Sequence, residues 1–108
     1  MSDCANECYL EGIDVVMNFG ESFYEEALLH LQKLIQMDTS SQNEYQALAY
    51  LQELAEEEGL TTKLIETAPD RGNLEIMLNP DEEPEIFLLS HVDVVPANEE
   101  EWSIPPFS

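Results

Sequence analysis

Ile86-Phe87-Leu88-Leu89 runs straight into Ser90-His91-Val92-Asp93-Val94-Val95-Pro96. Four consecutive apolar residues with no polar alternate predict a strand buried on both faces, as in a sheet that helices cover. The Ser90–Pro96 stretch continues that strand, and because side chains alternate across an extended chain, His91 and Asp93 fall on one side of it. In open α/β sheets ligands sit beyond the carboxyl ends of strands, so an imidazole and a carboxylate leaving one strand end together form a candidate site. As a bare tripeptide, His-x-Asp occurs by chance in many chains and reads first as a solvated strand end.

Upstream of this stretch the periodicity changes twice. Leu74, Ile76 and Leu78 alternate with Glu75 and Met77 and are closed by the turn-forming Asn79-Pro80-Asp81, which predicts a strand. Leu60–Thr67 is rich in branched residues and predicts another, with Ala68–Asn73 as the loop between them. Before Gly59 the period is helical. Tyr24, Leu28, Leu31 and Ile35 mark one amphipathic helix over Glu21–Met37, with Ser22 and Glu25 in capping-box form. Ala47, Leu48, Leu51, Leu54 and Ala55 mark a second, entered through Ser41 and Glu44 in the same form and stopped by Gly59. Helices followed by strands predict an α/β unit: two amphipathic helices packed on a mixed sheet, with the Ile86–Leu89 strand near its centre. Residues 1–20 carry Asp3, Glu7, Glu11 and Asp14 without clear periodicity and read as an acidic leader, mobile or weakly helical.

At 108 residues the chain is the size of one small domain with a single core. Apolar residues at 44% and charged residues at 25% match ordinary globular usage, which excludes a wholly disordered or collagen-like chain. The charge balance is far from ordinary. Twenty-four Asp and Glu oppose only Lys33, Lys63 and Arg71, for a formal net charge of -21. Such a field repels phosphate backbones and anionic lipid, so nucleic acid and membrane surfaces are poor partners. No basic, apolar signal-peptide pattern and no bilayer-length apolar run is present, and the expected compartment is the cytoplasm. Cys4 and Cys8, the only cysteines, form neither a disulfide framework nor a four-ligand zinc site.

The segment Phe87–Pro96 followed by Trp102-Ser103-Ile104-Pro105-Pro106-Phe107-Ser108 resembles the amino-terminal part of the zinc-dependent aminoacylase, acetylornithine deacetylase and succinyl-diaminopimelate desuccinylase family. In that family an apolar strand leads into His-x-Asp-x-Val-Pro, and a Trp with a Pro-Phe-Ser-Gly stretch follows shortly after. Asp38-Thr39-Ser40, Glu57-Glu58-Gly59-Leu60 and Arg71-Gly72-Asn73-Leu74 are similar in kind and order, so the resemblance spans residues 21–108. It implies the amino-terminal part of a zinc-peptidase-like α/β/α catalytic domain. It also implies a metal-dependent hydrolase of amide bonds in N-acyl amino acids or short peptides. His91 is then a ligand of one of two zinc ions, cobalt or another divalent metal being an alternative, and Asp93 is the catalytic carboxylate that orients it. The family's other ligands and its general base lie beyond the Pro-Phe-Ser motif, so the resemblance implies an incomplete enzyme, inactive alone. A homodimer is left open for the complete one.

Other candidates read as structural. His30 between Leu29 and Leu31 is a partly exposed helix histidine with no partner motif. Asp81-Glu82-Glu83 and Glu99-Glu100-Glu101 lack the alternating ligands and mid-loop Gly of a calcium loop and read as solvated turns. Trp102, Pro105, Pro106 and Phe107 are expected to pack over strand ends. Thr39, Ser40 and Ser41 lie in the interhelical loop without a neighbouring His and do not read as nucleophiles. Two rival functions stand beside the hydrolase: a non-enzymatic acidic interaction module, and a divergent family member that binds no metal.

Overall fold

The computed structural model describes residues 20–108. The expected leader, Gly20 apart, and the thiols Cys4 and Cys8 lie outside the described residues. The chain divides into two units, Met1–Lys33 and Leu34–Ser108. Helix α1, Glu21–Gln36, begins in the first and ends in the second. It starts one residue before Ser22, which therefore sits inside the first turn and does not cap it. The predicted apolar stripe is present, but Tyr24, Leu28, Leu31 and Ile35 are 43–59% exposed.

The second unit is built around helix α2, Tyr45–Glu57, and an antiparallel hairpin of β1, Thr61–Ala68, and β2, Arg71–Met77. Ala47, Leu48 and Ala55 recur on one face of α2 and are buried, as the helical spacing predicts. That face packs on both strands. The strand face beneath it carries Thr62 and Leu64, paired with Ile76 and Leu74. Gln52 Nε2 donates to Thr62 Oγ1 at 3.1 Å, and that hydroxyl donates to Glu56 Oε1 at 2.7 Å, so helix and strand are also tied by polar groups.

Gly59 ends α2 as predicted. At φ 79° its amide donates to Glu56 O (2.9 Å) while Leu60 N donates to Ala55 O (3.0 Å), the paired bonds of a Schellman motif. The start differs from the prediction. Ser41 and Gln42 take left-handed backbone at φ 59° and 64°, and the N-cap is Glu44, with no side-chain capping bond. Glu44 does not reach back to Ser41 because its carboxylate is engaged by Arg71. The first helical amide, Tyr45 N, is satisfied instead by Asp70 O at 3.0 Å, which docks the hairpin turn on the helix start. That turn is tighter than predicted: Pro69 and Asp70 (φ 63°) alone reverse the chain, so β2 begins at Arg71.

The strand predicted over Ile86–Leu89 is a correction. These residues pair with no other strand, residues 86–98 hold no regular structure, and Ile86, Phe87, Leu88 and Leu89 are 77–90% exposed. A strand apolar on both faces is stabilised only by neighbours at both edges and by layers above and below it. Among the described residues the strands β1 and β2 pair with each other, and no third strand joins them. The sheet is thus a two-stranded antiparallel hairpin instead of a mixed sheet, and the fold a small mixed α/β unit.

Candidate functional site

His91, Val92 and Asp93 lie in the irregular stretch that follows the exposed apolar run. The two candidate side chains nevertheless meet. His91 Nδ1 is 3.1 Å from Asp93 Oδ1 and 3.0 Å from Asp93 O. Both partners are acceptors, a carboxylate and a carbonyl oxygen, so Nδ1 is the nitrogen that carries the proton. In the neutral imidazole the lone pair is then on Nε2, at the far side of the ring. The imidazole is 85% exposed and the Asp93 side chain 50% exposed, which leaves Nε2 accessible to a ligand. This is the arrangement in which a histidine binds metal through one nitrogen while a carboxylate fixes the other.

Behind this pair stands a part-buried polar cluster. Thr39, 2% exposed, donates from Oγ1 to Val92 O at 3.0 Å across 53 residues of sequence. Thr39 is itself held by a local turn: the Asp38 carboxylate accepts from Ser40 N at 3.0 Å and from Ser40 Oγ, and Asn43 Nδ2 donates to Asp38 O. Five residues on, Glu44 is 7% exposed and accepts from Arg71 Nε at 3.0 Å through Oε1, while its buried Oε2 has no hydrogen-bond partner. The Arg71 hydrogen bond holds the Glu44 carboxyl below the usual carboxylate range. Burial opposes that shift, and so does the negative charge of Asp93, which places Glu44 within electrostatic reach of the site.

No protein-family profile, curated protein or solved structure matches the chain. Among the described residues no group of three or more His, Cys, Asp and Glu could hold a metal ion. His91 and Asp93 are a pair, short of such a group. His30 lies on α1 within 3.5 Å of Glu26 and is partly exposed, as expected of a helix histidine. Glu99–Glu101 forms one exposed 3₁₀ turn capped by Asn98, whose Oδ1 accepts from Glu100 N. Trp102 is 56% exposed, and Phe107 is half-buried. No described helix is long and apolar enough to cross a membrane.

The sequence pattern singles out His91 and Asp93 and gives Thr39, Glu44 and Arg71 no part in a site, Glu44 entering only as a capping-box residue. All but Glu44 lie in motifs that carry the family resemblance, and those motifs were the available signal. Pattern alone does not show that Asp38-Thr39-Ser40 reaches Val92 or that Arg71 reaches Glu44.

Proposed function

We propose that this chain contributes one metal-ligand position, His91, and its orienting carboxylate, Asp93, to a zinc-dependent hydrolase of amide bonds in N-acyl amino acids or short peptides. The observation that supports the reading most is the Nδ1 contact to Asp93, which leaves Nε2 as the accessible lone pair. The resemblance of Phe87–Pro96 and Trp102–Ser108 to the aminoacylase and desuccinylase family supplies the reaction class. On this reading the chain is the amino-terminal part of a zinc-peptidase-like α/β/α domain in a cytoplasmic enzyme, and the remaining ligands and the general base come from outside the described residues.

A zinc ion held in part by His91 would supply an acidified water and a Lewis acid for the scissile carbonyl. The residues of this chain hold and tune that position. Asp93 keeps the Nδ1 proton in place, so that Nε2 presents its lone pair. A non-enzymatic acidic interaction module is the second reading, favoured by the exposed Ile86–Leu89 run.

A catalytic zinc takes three protein ligands, so the 108-residue chain alone is expected to bind zinc weakly and to hydrolyse neither N-acyl amino acids nor dipeptides. Joined to the segment that supplies the other ligands, His91→Ala is expected to lose zinc and activity together. Asp93→Asn is expected to retain most of the metal and lose about 10- to 100-fold in rate. Metal content and amide hydrolysis measured side by side decide the matter: normal zinc and normal rate in His91→Ala refute the assignment.

A further inference from the structure

The His91-Val92-Asp93 stretch belongs to no strand or helix, yet its two side chains hold a defined contact. Something other than a sheet ladder must fix the backbone between them. Val92 O lies in the peptide joining Val92 to Asp93, and its acceptor direction sets the plane of that peptide. Thr39 Oγ1 donates to this oxygen at 3.0 Å from a residue that is only 2% exposed, so water competes little for the bond. The donor end is fixed as well. Thr39 is β-branched and stiff at χ1, and the Asp38–Ser40 and Asn43–Asp38 hydrogen bonds lock the loop on either side.

We infer that Thr39 is a positioning residue for the His91–Asp93 pair: its hydroxyl orients the intervening peptide so that the carboxylate meets Nδ1 and Nε2 faces outward. The inference rests on the reading of His91 as a metal ligand. It adds a residue remote in sequence that touches neither metal nor substrate.

The test uses the isotope-labelled 108-residue chain in three forms: wild type, Thr39→Val, which keeps the shape and removes the hydroxyl, and Thr39→Ser, which keeps it. In Thr39→Val the Val92 carbonyl carbon and Asp93 amide nitrogen resonances are expected to shift. The His91 ring nitrogens should move toward the averaged values of a freely exchanging imidazole, while the β1–β2 amide signals stay in place. Thr39→Ser should restore the wild-type pattern. Zinc titrated against the ring signals should bind up to about 10-fold more weakly in Thr39→Val, the low end for groups that orient a ligand. Unchanged Val92, Asp93 and His91 resonances in Thr39→Val overturn the inference, and so does a Thr39→Ser chain that fails to restore them while its hairpin signals are intact. A wild-type imidazole unaffected by millimolar zinc overturns the metal reading instead, so the two failures are told apart.

Discussion

Gly72→Ala offers the sharpest test of the hairpin packing. A Cβ on Gly72 would lie 2.6 Å from Ile65 O and 3.2 Å from Cδ2 of Tyr45, whereas non-bonded carbons settle at about 3.5–4.0 Å. The nearer atom is backbone. Ile65 pairs with Asn73 and the next residue, Glu66, pairs with Gly72, so the carbonyl cannot retreat without distorting the ladder. On the other side the Tyr45 ring is carried on the first turn of α2, whose amide is bonded to Asp70 O. Overpacking of this kind costs about 1–3 kcal/mol, offset by about 0.4–1 kcal/mol from the reduced freedom of the unfolded chain. Because the 2.6 Å contact is with backbone the upper half of that cost applies, and a net loss of about 1–2.5 kcal/mol follows, or a Tm lowered by about 5–20 °C in a domain of this size. Gly59→Ala is the control. Nothing lies within 4 Å of its Cβ, and it should lose only the left-handed backbone cost at φ 79°, about 1 kcal/mol. Urea unfolding followed by circular dichroism reads both variants, with amide exchange at Ile65 and Asn73 reporting the register. A Gly72→Ala chain within about 0.5 kcal/mol of wild type, with protected hairpin amides, would refute the close-approach argument.

Leu48→Ala removes the largest buried side chain of α2 and is expected to cost about 2–3 kcal/mol, the low end for leucine because its buried neighbours Ala47 and Ala55 are small; an unchanged urea midpoint would contradict that core. Glu44 ionises below its unfolded range because Arg71 donates to it, so its charge stabilises the fold above the ordinary glutamate value of about 4.3 and that contribution fades as pH falls through the depressed folded value. Wild type should therefore lose stability on acidification more steeply than Glu44→Gln in that window, and equal acid slopes would exclude the pair as a contributor. With 24 acidic against 3 basic side chains, sodium chloride near 1 M, where the Debye length is about 3 Å, should raise Tm by screening self-repulsion; a salt-independent Tm would sink that expectation.

The parts of the fold legible in the sequence are those whose stabilisation is local. The apolar spacing of Ala47, Leu48, Leu51, Leu54 and Ala55 marks α2, and Gly59 is read as its stop because glycine takes the left-handed position without a Cβ penalty. The capping boxes mislead for a physical reason. Ser41 and Glu44 satisfy the spacing, but Arg71, 27 residues on, competes for the same carboxylate and draws it away from the helix start. Ile86–Leu89 shows the opposite limit: its composition states what surroundings it suits, and a strand forms only where those surroundings exist.

The same division runs through the candidate site. His91 and Asp93 meet over a separation of two residues, a relation contained within three residues of sequence. Thr39 and Val92 meet only through the folded unit, across 53 residues, and nothing in either local pattern announces the bond. Yet the second relation governs the first, because the Val92 carbonyl that Thr39 engages belongs to the peptide joining Val92 to Asp93, between the two side chains. An exposed pair on irregular chain would otherwise sample many separations, and a hydrogen bond from a buried hydroxyl is one way to narrow them without a strand ladder. On the proposed reading the tripeptide carries the chemistry, and the interhelical loop, which reads in sequence as a connector, carries its geometry.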